Sequence, residues 1–488
     1  MNSEALSNAQ PHYRLLDANQ IEKIHQAVLH VLATIGVRVL HPQALLLLRE
    51  AGCQVSDDSI VLIPGKLVEE CIRSAPSLIT IYNRLGLPVM QLGGRNLHFG
   101  MGTDLLKTVD LDTGLMRPSV LKDVAQAARV ADACEEIDFI ASFALPQDVP
   151  TNTMYIECFK AEMENSVKPI FFTAAEEKDL AFIIRMAALV AGGEEALREK
   201  PFLINYSEPT SPLTHSYGAL SKLLLCAEKG VPICYTPAAM MGATAPVTLV
   251  GALIQATAEA LSGIVIHQLK ARGAPIISGV GLPVLDMRTS CVSYSAPELR
   301  LSDSAFADMF HSYGLPIWST SGSDSHCLDE QAAMEHTYGI LMASLTGANL
   351  IHDVGYLGQG LLGNPACIVM CNEIISYTGR VMRGFSLDDA SLALEAIREV
   401  GPGGNYLTHE HTLLNFRKVL WKPQFLNRQG PDEWQAAGGL SYRERVIRKT
   451  KDILASYQPQ ALDPTILEEL GRVVTDARNK LETEMFTA

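Results

Sequence analysis

The chain holds no CxxC pair, no Walker loop, no GxGxxG in a βαβ context and no GxSxG elbow. The first absence removes the commonest zinc-ribbon and dithiol-redox signatures. The second and third remove the standard phosphate and dinucleotide cradles. The fourth removes the α/β-hydrolase serine. Positive charge is short as well: 39 Lys and Arg stand against 54 Asp and Glu, a formal net charge of −15. That balance excludes nucleic acid or an anionic membrane as a partner met through a basic surface. Aromatics are only 6% of the chain, with three tryptophans, and no low-complexity run interrupts it. Residues 1–12, "MNSEALSNAQPH", lack a basic n-region and an apolar h-region, so no targeting segment is expected and the protein is expected in the cytoplasm. The run 247–266, "VTLVGALIQATAEALSGIVI", approaches membrane length, but Gln255, Glu259 and its small residues suit a buried helix of a large core.

What the chain does have is apolar bulk. Hydrophobic residues make up 48% of 488, enough for one large domain or several ordinary ones. Ten cysteines are scattered, which suits a reduced protein in which they serve as small hydrophobes. The acidic, apolar-rich composition is compatible with a homo-oligomer.

A strand–helix rhythm fills the middle. Apolar runs recur at 97–102, 137–143, 168–174, 202–208, 231–237, 274–280, 315–321 and 349–354. Neighbours are about 30 to 43 residues apart, the size of a βα unit. The runs are continuous rather than alternating, the mark of parallel strands covered by helices. Helical patterns lie at 119–134, 151–166, 177–195, 216–229, 247–271, 299–313 and 329–345. Eight such units predict an α/β chain folded as a (β/α)8 TIM barrel over 91–370. An open sheet of eight or more strands is the other arrangement. Residues 1–90 are expected to form an N-terminal cap of helices and a strand, and 371–488 a C-terminal helical extension, in which "GPGG" (401–404) is a turn.

In such a barrel the chemistry sits where the strands end. The ends read here bring up Thr103 and Asp104, Phe143, Thr173, then Asn205, Tyr206, Ser207 and Glu208. Tyr235 and Thr236, Gly279, Ser319 to Ser321, Asp324, and finally His352, Asp353 and Tyr356 complete the set. It is rich in carboxylates, hydroxyls and aromatic faces and contains no Lys or Arg. Aromatic faces and acids suit a permanent cation, above all a quaternary ammonium, which each face attracts with about 0.5–2 kcal/mol. Trp318 lies inside its strand and is expected to pack as core against outer helices. Glu208, next to Pro209, either caps a turn or meets ligand. No metal ligand set is required by any spacing. His409 and His411 lack a third partner, and Cys234, Cys327, His326 and His352 can be assembled into a zinc set only by choice.

Four stretches carry a resemblance: "INYSEPTSPL" (204–213), "IWSTSGSDSHCLDEQAAMEHTYG" (317–339), "GANLIHDVGYLGQG" (347–360) and "VGPGGNYLTHEHT" (400–412). Together, and in order over about residues 15 to 480, the chain resembles the trimethylamine methyltransferase family. The resemblance implies a (β/α)8 barrel that passes a methyl group from a methylated amine to the Co(I) of a corrinoid. The corrinoid rides on a separate small protein, so no cofactor is expected within this chain. Founding members contain pyrrolysine. This chain has only the twenty standard residues, so it resembles the branch acting on glycine betaine, proline betaine or carnitine. By the same resemblance the 347–360 loop, with His352 and Tyr356, supplies substrate contacts; the strand-end reading adds Asn205, Tyr206, Glu208, Asp324 and Tyr235 as substrate contacts and Asp353 and His326 as orienting or supporting residues. His352 would meet a betaine carboxylate and Tyr356 the methyl groups. A metal-dependent barrel lyase or hydrolase and a non-catalytic betaine-binding protein are the competing functions.

Overall fold

A computed structural model describes residues 8–485, so residues 1–7 of the segment read as lacking a leader lie outside the described residues. Eight parallel strands carry the fold. They are β1 (His98–Met101), β2 (Ile140–Ala141), β3 (Ile170–Phe172), β4 (Leu203–Ser207), β5 (Ile233–Tyr235), β6 (Ile276–Ile277), β7 (Trp318–Thr320) and β8 (Leu350–Val354). Strands β2 to β6 pair in chain order. β7 pairs with β8, and β8 with β1. Single parallel bridges, Gly100 to Phe139 and Ser278 to Ile317, join these two sheets at both edges. Every strand therefore has a parallel neighbour on each side, and each lies within a predicted apolar run.

One helix follows each strand: α1 (Leu121–Asp132), α2 (Met154–Asn165), α3 (Glu177–Ala191), α4 (Tyr217–Lys229), α5 (Leu249–Lys270), α6 (Pro297–Tyr313), α7 (Glu330–Thr346) and α8 (Pro365–Met382). The sequence sets their ends. Ser216 and Asp329 cap α4 and α7 by accepting from backbone amides, and Gly230, Gly314 and Gly347 close α4, α6 and α7 in the left-handed conformation. Helix α5 is long and apolar enough to cross a membrane, yet most of it is buried. Helices Ala18–Thr34 and Gly65–Ser74 pack on its outer side, so the N-terminal segment covers a flank of the fold.

Both predicted domain boundaries fall inside elements. The one at 90/91 cuts the strand Pro88–Leu92, and the one at 370/371 cuts α8. At the C-terminus, Tyr442–Ser456 packs on α1 and α8, and Pro464–Met485 on α2 and α3. Within the C-terminal extension, Ala393 at a φ of +50° divides Asp389–Leu392 from Leu394–Val400.

Candidate active site

Strand β8 changes register against β1 between Ile351 and Val354. Such a bulge lets consecutive residues serve one face. Asp353 sits there at φ +70°, a left-handed conformation costly for a residue with a Cβ. As a result the His352 imidazole enters the interior while the Asp353 carboxylate lies beside it, Nδ1 to Oδ1 at 3.0 Å, and accepts from Thr320. The Asp353 carboxylate is thus held between the His352 ring and the Thr320 hydroxyl.

His352 meets an aromatic lumen. Its ring is 4.6 Å from Phe171, 5.8 Å from Tyr206 and 6.0 Å from Trp318, and Tyr206 stacks on Trp318 at 6.0 Å and 26°. Burial holds His352 below the ordinary imidazole range although Asp353 pulls the other way, so the ring is neutral near pH 7. His352 Nε2, the ring nitrogen away from Asp353, and Trp318 Nε1 have no hydrogen-bond partner. Orphan polar atoms this deep mark a place where a ligand can be met. Trp318 was expected among the outer helices. Alternation along β7 instead turns residues 318 and 320 inward, and Gly279 leaves room for the indole: a Cβ there would lie 2.7 Å from it.

Tyr206 also lines a cleft of about 490 Å³ at the end of β4, with Asp104, Tyr155, Thr173, Glu208 and Lys222. Its hydroxyl donates to Glu208. Burial lifts Glu208 to about 6, against the Tyr206 hydrogen bond. Burial also raises Asp104, whose carboxylate accepts from Ser142 at 3.0 Å and Thr173 at 2.9 Å. Asp104 and Phe143 stand at φ +62° and +58°. Left-handed residues at the ends of β1, β2 and β8 concentrate backbone strain at this one rim. Lys222 comes from α4 rather than a strand end, is held by the Ala174 carbonyl at 2.7 Å, and is lowered by burial. The strand ends carry no Lys or Arg, as read, but a helix brings one cation to the same cleft.

Tyr356 is enclosed by glycines. A Cβ at Gly102, Gly322 or Gly360 would come within 2.8, 2.6 or 1.6 Å of it. That accounts for the last glycine of the "GYLGQG" turn. Tyr294, which the strand-end reading missed, meets the Tyr356 ring edge-on at 5.6 Å. It follows a hairpin, Val284–Asp286 with Cys291–Ser293, that lies between β6 and α6. Asp324 was expected to touch substrate, but its carboxylate accepts from Ser293 Oγ and from the amides of Tyr294 and Ser295. It holds Tyr294 in place.

Three other placements differ from expectation. Tyr235 points outward, where its hydroxyl meets His215 Nδ1 at 2.8 Å and its ring packs on Gly263 of α5. Asn205 also points outward and donates to the Phe172 carbonyl. In β4 and β5 the inward positions pair Tyr206 with Cys234, so residues 205 and 235 fall on the helix side. His326 is exposed beside Gly358, away from the lumen. The zinc set assembled from Cys234, Cys327, His326 and His352 does not converge. Among the described residues the one group with metal-like spacing is His336, Cys367 and Cys371.

The family model described as trimethylamine methyltransferase matches residues 1–482. The chain belongs to the trimethylamine methyltransferase family. It is 32% identical over 478 residues to a glycine betaine methyltransferase of Desulfitobacterium hafniense, covering 97% of this chain and 99% of that one. It is 30% identical over 466 residues to a trimethylamine methyltransferase of the same species, covering 94% and 93%. The crystal structure of the Methanosarcina barkeri monomethylamine methyltransferase superposes with a TM-score of 0.54 at 11% identity, covering 97% of this chain and 88% of that one. For this methyltransferase family member the cleft has the volume of an ordinary small-molecule site. Its walls combine aromatic faces, two carboxylates and one ammonium.

Proposed function

We propose that the protein demethylates a quaternary amine of the betaine type and passes the methyl group to the Co(I) of a corrinoid held by a separate small protein. The fold is read as a (β/α)8 barrel with its reaction at the C-terminal strand ends. The observation that carries the reading is the Tyr206–Trp318 stack beside Glu208. A trimethylammonium group cannot donate a hydrogen bond, so it is held by shape, aromatic faces and a nearby carboxylate. Lys222 is placed to meet the substrate's own carboxylate, a role first read for His352. His352 and Tyr356 then bound the methyl groups, and Asp353 fixes the imidazole.

The corrinoid supplies the nucleophile: a cobalt–carbon bond forms as the carbon–nitrogen bond breaks, and the electron pair leaves on a neutral tertiary amine. That nitrogen needs no proton. The chain's own residues therefore orient one N-methyl toward the mouth and exclude water, which are positioning effects. A cleft of about 490 Å³ leaves the macrocycle to the partner. We read the protein as cytoplasmic and homo-oligomeric. The strongly exposed Leu394, Leu407, Leu413 and Leu420 support association of copies.

The test is a panel of quaternary amines with a reduced corrinoid protein, following the demethylated amine. Demethylation of glycine betaine, proline betaine or carnitine supports the reading. Tight binding with no demethylation by any reduced corrinoid protein would leave the betaine-binding function instead.

A further inference from the structure

One cluster lies outside everything that methyl transfer uses. His336 on α7 and Cys367 and Cys371 on α8 are fully buried, and their ligand atoms all lie within 4.8 Å of one another. The two cysteines are four residues apart on one helix, so their sulfurs share a face. The imidazole reaches them from the neighbouring helix, with Nε2 at 3.4 Å from Cys367 Sγ. We propose that this cluster is a binding site for a single zinc-like divalent ion that ties α7 to α8.

The donor set decides the class of ion. Two sulfurs and one imidazole suit zinc and other soft or borderline metals, not magnesium or calcium, which take oxygen. The spacing fits as well. Zinc bonds of about 2.3 Å to sulfur and about 2.0–2.1 Å to nitrogen, at tetrahedral angles, put the two ligand atoms about 3.5 Å apart. The observed 3.4 Å needs little movement. The Ser321 backbone hydrogen-bonds the same imidazole, the kind of outer contact that orients a metal-ligating ring. The Cys371 sulfur receives the Cys367 thiol and the Gly355 amide. Backbone donors of this kind orient metal thiolates.

Loading forms two metal–sulfur bonds and one metal–nitrogen bond and releases the cluster's thiol protons to solvent. One position is left for water, since no fourth side chain joins the group among the described residues. The ion's task follows from its neighbours. Gly355 immediately precedes Tyr356, and the backbone of Ser321, next to Gly322, lies against His336. Gly322 and the 355–360 turn grip the Tyr356 ring. The ion fixes the wall that holds Tyr356 without touching substrate.

The full chain, expressed with zinc, is passed through a chelator-equilibrated column and its metal content measured. The stripped, reduced chain is then titrated with Co(II), reading the near-ultraviolet sulfur-to-cobalt charge-transfer band. About one equivalent of zinc is expected to be retained. The band is expected to vanish in Cys367→Ser and Cys371→Ser and to persist when the exposed Cys291 and Cys327 are changed to Ser. Because a buried substitution can unfold the chain, zinc-edge X-ray absorption on the unaltered protein supplies a second reading. A shell with sulfur and imidazole supports the site. Loss of zinc on the column with no cobalt band, an oxygen-only shell, or a Cys367–Cys371 disulfide in the anaerobically purified chain would overturn it. None of these readouts depends on the amine, so they stand apart from the fate of the methyl-transfer proposal.

Discussion

Tyr206 stacks on Trp318 across the lumen and donates its hydroxyl to Glu208 at the cleft, so one side chain joins the aromatic wall to the carboxylate. Replacing Trp318 with Leu removes one face of that wall. Affinity for a betaine should fall about tenfold, which corresponds to about 1.4 kcal/mol and lies within the range for a desolvated cation on an aromatic face. Affinity for the uncharged tert-butyl isostere should change little. Calorimetry with both ligands checks this, and an equal loss for the two would remove the aromatic attraction.

The charge on Glu208 sets a pH dependence. Its carboxyl titrates at about 6, raised mainly by burial. Above that value it is ionised and attracts the ammonium; below it the attraction is lost. Affinity should therefore rise with pH through about 6, and Glu208→Gln should flatten the profile. The stability effect has the opposite sign. The folded state holds this proton more tightly than the unfolded chain, so Glu208 contributes stability that declines as pH rises from the ordinary carboxylate range to about 6. A binding curve unchanged between pH 5 and 7 would take Glu208 out of the site.

Gly360→Ala puts a Cβ 1.6 Å from the Tyr356 hydroxyl, at a φ of +82°. Overpacking at such a position costs about 1–3 kcal/mol. The melting temperature should drop by several degrees and turnover should fall further than for Gly403→Ala, a position with open space but a similar φ. Equal effects would mean that backbone strain alone is at work.

Tyr356→Ala and His352→Ala should each cut turnover or affinity sharply while the chain still folds. Tyr356→Phe, which keeps the ring against Tyr294, should retain much of the activity. Full activity in both alanine variants would move the site elsewhere.

The purified chain should be inert toward its amine until a reduced corrinoid protein is added. Cobalt copurifying in stoichiometric amount with the isolated chain would contradict this.

The eight strands were legible because each is a continuous apolar run, and hydrophobicity alone marks those. Side-chain direction was not. A strand's two faces differ by one residue, and a three-residue strand such as β7 offers no alternation by which to phase Trp318. Tyr235 and Asn205 were lost to the same ambiguity. His352 and Asp353 serve one site only because of a bulge, which no composition signal announces. Lys222 was invisible for another reason: it reaches the mouth from a helix, and a reading confined to strand ends cannot include it. The four-residue spacing of Cys367 and Cys371 carries meaning only once α8 is known to begin at Pro365.

The strand Val37–Val39 pairs in parallel with Thr214–His215, in the loop that follows β4. The lip of the cleft is thus stitched to a segment far upstream in the chain. Loosening of the N-terminal segment therefore reaches the lip beside Glu208 directly. On gentle warming the N-terminal segment should undock and ligand recognition fail while the central strands persist.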